Sequence, residues 1–226
     1  MPKLKLYGGA KNRGRRCYWL AKELGLEIEA VEIDLHAGQH KSPDFLKLNP
    51  NGHVPVLDDG GFILSESLAI NLYLAKKSGG PLSAASPQED ALLSQWSFWV
   101  ATEVEQLLIT ILEHRMMLPE TERNTALADE AWEKLQKPLS VLETTLTDRD
   151  YLVSNRFTVA DLNVSIVLSL INRLALDITR YPNVRAWLDT CLGRPAARIL
   201  EKTETRRQAE LVALILRGFS RMARPI

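Results

Sequence analysis

The period of the apolar residues changes once along this chain, near residue 87, and this constrains the fold more than any other feature. Before it, apolar positions alternate in short runs; after it, they recur every three or four residues. Residues 3–7 (KLKLY) and 28–34 (IEAVEID) alternate with period two, as half-buried strands do. Between them Cys17–Leu24 reads as a helix, followed by Gly25 where a left-handed backbone ends it. A β-α-β unit with parallel strands and a right-handed crossover is the simplest reading. Ser42-Pro43-Asp44 then predicts a helix start, and Asn49-Pro50-Asn51-Gly52 a turn. Val54-Pro55-Val56-Leu57 reads as a strand whose proline, lacking a ladder N–H, belongs at an edge or a start. Asp58-Asp59-Gly60-Gly61 predicts a hairpin into Phe62-Ile63-Leu64, and Ser65-Glu66-Ser67 opens a helix ending near Ser78.

The remainder reads as helical. Residues 88–117 carry Leu92, Leu93, Trp96, Trp99, Val100, Val104, Leu107, Leu108, Ile111 and Leu112 on one stripe. Residues 122–146 repeat the pattern, with Pro138 expected to kink or interrupt the helix. Phe157-Thr158-Val159-Ala160-Asp161-Leu162 has the spacing of a capping box, with Thr158 and Asp161 as the reciprocal pair. The expectation is an α/β domain over 1–79, a linker over 80–87, and an all-helical domain over 88–226.

Composition narrows the function. With 28 Lys+Arg against 28 Asp+Glu there is no basic excess, which argues against a surface built for nucleic acid. Two cysteines, Cys17 and Cys191, make no disulfide framework and have no metal-ligand spacing. No apolar run approaches the roughly 18 residues of a membrane span, and no signal peptide is legible. A cytoplasmic protein without metal, membrane or nucleic-acid partner is expected.

In their order along the chain, Leu6-Tyr7-Gly8, Glu23-Leu24-Gly25-Leu26, Asn49 through Leu57, Ser65-Glu66-Ser67 with Ile70 and Tyr73, Phe157 through Asp161, and Tyr181-Pro182-Asn183-Val184 with Ala186-Trp187 resemble the glutathione transferase family. The resemblance implies a thioredoxin-like βαβ-ββα N-terminal domain, a helical-bundle C-terminal domain, a cis bond before Pro55, and a homodimer. It implies that Val54 offers its backbone to the cysteinyl part of glutathione beside Pro55. Ser67 would take the γ-glutamyl carboxylate and Glu66 its ammonium, at a helix N-terminus that favours an anion. His40 and His53 lie where the family binds the glycyl carboxylate. Read without the resemblance, Glu66 and Ser67 are more readily caps of their own helix, and the two histidines more often exposed loop residues than ligands.

A free thiol with a pKa of about 8.5 is only about 3% thiolate at pH 7, so such an enzyme must stabilise the anion. Family members do so with a Tyr, Ser or Cys near the end of the first strand. Here the candidates are Tyr7, whose phenol can donate, and Asn12, whose amide NH₂ can donate without acting as a base. Arg13, Arg15 and Arg16 surround this position and would favour thiolate too, or else form a solvated helix start. The absence of Ser or Cys departs from the commonest bacterial pattern. Cys17 reads as a buried, inert thiol.

The second substrate is expected between the domains, with Trp99, Glu103, Leu107, His114 and Met117 as its wall by position. After Thr203 the tail reads as a basic amphipathic helix that packs on the protein or closes over the site. The resulting expectation is a transferase in which bound glutathione, as co-substrate, attacks a small electrophile or peroxide. A glutathione-dependent isomerase or disulfide reductase, and a non-catalytic interaction module of the same fold, are the alternatives.

Overall fold

The computed structural model describes residues 4–9 and 12–198; the amphipathic tail expected after Thr203 lies outside them. The chain opens with β1 (Leu4–Tyr7), α1 (Gly14–Leu24) and β2 (Ile28–Val31). It continues through α2 (Pro43–Leu48), β3 (Val56–Asp59), β4 (Phe62–Ser65) and α3 (Ser67–Ser78). The four strands form one mixed sheet in the order β2-β1-β3-β4, with β1 parallel to β2 and antiparallel to β3. This is the expected α/β domain. β3 is an inner strand, and Pro55 stands just before its first residue, so the missing N–H falls outside the ladder. Gly25 ends α1 at φ 64°, its N–H turned back onto the carbonyls of Ala21 and Lys22.

The helical part comprises α4 (Pro87–Trp99), α5 (Gln106–Leu112), α6 (Thr125–Thr145), α7 (Val159–Arg173) and α8 (Pro182–Leu192). The single helix expected over 88–117 differs from expectation. A π-helical turn, Val100–Glu105, joins α4 to α5, and a second one, Glu113–Met117, follows α5. Each widens the turn and rotates the face that comes after it. Leu93, Trp96, Val100, Val104, Leu108 and Ile111 stay buried, while Leu92 is exposed and Trp99 and Leu107 are only partly covered. Pro138 is accommodated inside α6, which runs through it uninterrupted. Its missing N–H removes one bond of a long ladder while its ring is buried.

One apolar core crosses both halves, from Leu6, Leu57 and Trp19 through Leu74 to Leu108, Leu139 and Leu162. Each such side chain contributes about 1.5–3 kcal/mol by leaving water. A polar seam runs through it. Asn71 of α3 donates to Asn163 Oδ1 of α7 at 2.8 Å, and Asn163 donates to Ser97 Oγ of α4 at 2.9 Å. At the head of α7, Asp161 accepts the Thr158 N–H at 2.9 Å, completing the capping box, and also the Leu152 N–H and Trp187 Nε1. Burial nevertheless raises the Asp161 carboxyl above its usual range, against the pull of those bonds.

Candidate functional site

The loop after α2 is organised by Asn49, a buried amide. It donates to the His53 carbonyl at 2.8 Å, accepts the Asn51 N–H at 3.1 Å, and its own carbonyl takes the Gly52 N–H. This fixes the segment leading into Val54-Pro55, whose peptide bond is cis. Among the described residues no hydrogen bond occupies the N–H or C=O of Val54. Gly8, at φ 122°, lets the end of β1 approach it closely: a side chain carbon there would stand 3.1 Å from Val54 Cβ. Beyond the β3-β4 hairpin, Glu66 adopts φ 71° at the threshold of α3, a conformation that costs an L-residue on the order of 1–3 kcal/mol. That backbone turn leaves its side chain exposed and buries Ser67 at the first turn of α3.

Arg16 of α1 joins these parts to the helical half. Its Nη1 donates to Ser67 Oγ at 3.2 Å and to Glu105 Oε2 at 3.1 Å, and its Nη2 to Glu105 Oε1 at 2.9 Å. Arg13 Nε reaches the same Glu105 Oε1 at 2.6 Å. Burial alone would raise the Glu105 carboxyl, but the hydrogen bonds and charge of Arg16, with those of Arg13, outweigh it and hold the group below the usual range. Cys17 next door is fully buried, and burial pushes its thiol up to about 12, an inert group as expected.

Val54, Pro55, His53, Glu66, Ser67, Arg13, Arg16 and Glu105 line one cavity of about 550 Å³, closed on an apolar side by Leu68, Leu72, Phe98 and Ala101. A smaller cavity of about 220 Å³ adjoins it and shares Arg13, His53 and Val54, adding Asn12, His40 and Leu35. Asn12 Oδ1 accepts the Gly14 N–H at 2.9 Å, which leaves the amide NH₂ as the donor end. Among the described residues, His40 Nδ1 is buried without a hydrogen-bond partner. The structure thus brings Asn12, His40, His53, Val54, Pro55, Glu66 and Ser67 to two adjoining chambers. Tyr7 is not among them: it lines a separate cavity with Phe45 and Leu48, consistent with the period of β1.

The residues expected as the second-substrate wall do not line these two cavities. Trp99 packs edge-on against Trp96, Leu107 packs on the core, Glu103 is exposed, His114 Nδ1 accepts the Asn124 N–H at 3.3 Å, and Met117 is exposed. Phe98, Ala101, Glu105 and Gln106 line the cavity instead, the first three spaced i, i+3 and i+7 on the face beside the expected one. Glu105 was the residue that periodicity concealed. Its only sequence signal is an acid lying between the buried positions Val104 and Leu108. Among the described residues no group of three or more His, Cys, Asp and Glu side chains is gathered for a metal ion. None of their helices is long and apolar enough to cross a membrane.

Residues 2–76 match the model of the glutathione S-transferase N-terminal domain, and residues 104–195 that of its C-terminal domain. A glutathione S-transferase 1 of Zea mays is 35% identical over 206 residues, covering 87% of this chain and 94% of that protein. Among solved structures, the glutathione transferase URE2P5 of Phanerochaete chrysosporium superposes with a TM-score of 0.86 at 28% identity, covering 93% of this chain and 98% of that one. URE2P6 of the same organism, in complex with oxidized glutathione, gives 0.81 at 26% identity, covering 91% and 97%. With both domains matched in order and most of the chain aligned to curated members, the chain belongs to the glutathione S-transferase family.

Proposed function

We propose that this chain is a glutathione transferase whose two adjoining chambers hold glutathione and activate its thiol. One observation carries the assignment: the free backbone of Val54, the Glu66-Ser67 turn at the head of α3, and His53 all line a single cavity. The three groups match the three parts of the tripeptide. Val54 pairs with the cysteinyl backbone as an added strand would. The first turn of α3, with Ser67 Oγ and its amide end, receives the γ-glutamyl carboxylate, while Glu66 faces the ammonium. His53 and the orphaned Nδ1 of His40 serve the glycyl carboxylate in the smaller chamber.

Asn12 stands in that chamber beside Val54, and its NH₂ donates to the sulfur. Because an amide is no base, the thiol proton leaves to solvent. The thiolate pair then forms a C–S bond at the electrophilic carbon, and the leaving group departs with the electrons of the bond that breaks. With a peroxide the same pair attacks oxygen and the O–O bond breaks. The division into 1–79 and 88–226, a cytoplasmic location and a homodimer belong to this reading; the exposed Phe62 and Phe98 support the last.

A second reading is favoured by the neighbour solved with oxidized glutathione: glutathione-dependent disulfide reduction at the same site. Steady-state assays decide between them. Conjugation of a chlorodinitrobenzene faster than reduction of a hydroxyethyl disulfide supports transfer to carbon, and the reverse ratio supports reduction. Activity with neither contradicts both.

A further inference from the structure

Three charges meet at the junction of the chambers, and they do not cancel. Glu105 is held in two parallel bonds by Arg16, whose side chain is only 10% exposed, so that pair neutralises itself inside the protein. Arg13 contributes only Nε to the same carboxylate, and its side chain is 54% exposed. Among the described residues its two terminal nitrogens have no partner. One carboxylate thus answers two guanidiniums, and the unbalanced positive charge falls on Arg13. Arg13 lines both chambers together with Val54 and follows Asn12 directly, so the charge stands where the thiol and its target must meet. The other charged group on the larger chamber, Glu66, is exposed at the head of α3 and is assigned to the ammonium of glutathione.

We propose that Arg13 is a specificity-determining residue that selects second substrates carrying a carboxylate near the electrophilic carbon. The inference rests on the glutathione reading above. Its physical basis is a planar fork with free donors, fixed from behind by Glu105, which suits a carboxylate in two-point contact.

The test uses a pair of acceptors that differ by one carboxylate ortho to the reacting carbon, 1-chloro-2,4-dinitrobenzene and 2-chloro-3,5-dinitrobenzoate. In both, the thiolate forms the C–S bond and chloride leaves with the C–Cl pair. Each kcat/KM is divided by the uncatalysed rate constant. The expected result is a preference of about tenfold for the benzoate, weakened by salt. Arg13→Gln should abolish the preference, and Arg13→Lys should keep part of it. Any loss of thiolate in these variants lowers both acceptors alike, so the ratio isolates the charge. Equal efficiencies in the unaltered protein, or a preference that survives Arg13→Gln, overturn the inference while leaving the transferase reading intact. Failure of glutathione to bind overturns both, and calorimetry with glutathione alone distinguishes the two cases.

Discussion

Arg16 and Glu105, 89 residues apart, face each other in two parallel hydrogen bonds of 3.1 and 2.9 Å, and so tie α1 to the π-helical turn after α4. Removing one partner of a buried pair leaves the other uncompensated, at a cost of about 3–5 kcal/mol. Glu105→Gln should therefore lower stability at neutral pH by roughly 3 kcal/mol, as read by urea unfolding. The pH dependence follows from the depressed carboxyl. Its stabilisation is complete above the unfolded value of about 4.3 and is lost as pH falls through the lower folded value. The gap between the two proteins should close on acidification below that range; a constant gap contradicts the assignment.

Asn12 and Tyr7 are separated by which chamber each lines. Asn12→Ala is expected to raise the apparent pKa of bound glutathione more than Tyr7→Phe does, followed by thiolate absorbance. The reverse order would return the role to Tyr7.

Ser67 and Glu66 should separate binding from folding. Ser67→Ala removes one donor to a carboxylate and is expected to weaken glutathione binding by about tenfold without unfolding the protein. Glu66→Gly relieves the φ of 71° while deleting the carboxylate, so thermal stability should hold or rise by up to about 1 kcal/mol as affinity falls. An unchanged dissociation constant in both variants dismisses the assigned subsite.

Asn163 sits between Asn71 and Ser97 in the seam joining α3, α7 and α4. Asn163→Val takes one hydrogen-bond partner from each buried neighbour, leaving Asn71 a long bond to the Arg16 carbonyl and Ser97 its bond to the Leu93 carbonyl, and a loss of about 2 kcal/mol is expected in chemical denaturation. A loss under about 0.5 kcal/mol would mean the seam is solvated or repacks.

The strands, the hairpin and the α7 capping box were legible because alternation, Asp-Gly turns and Thr158/Asp161 spacing act over a few residues. So were Val54-Pro55 and Glu66-Ser67, because the motif order carried them. The second-substrate wall was not. Trp99, Glu103 and Leu107 share one helical face, but Phe98, Ala101 and Glu105, spaced i, i+3 and i+7, share the adjacent one, and that second face lines the cavity. Periodicity groups residues by face without saying which face meets the cavity; here that face is the one whose Glu105 pairs with Arg13 and Arg16. Tyr7 was ambiguous for a different reason, since alternation fixes which residues share a face of β1 but not which face meets the site.

The proposed function rests on the two chambers binding glutathione as its thiolate. Calorimetric titration with glutathione, followed in the same sample by thiolate absorbance across pH, tests it most directly. Saturable one-site binding and a bound thiol pKa below the free value of about 8.5 are expected. No heat at millimolar glutathione, or binding with an unshifted thiol, would contradict it, the first favouring a non-catalytic interaction module of the same fold.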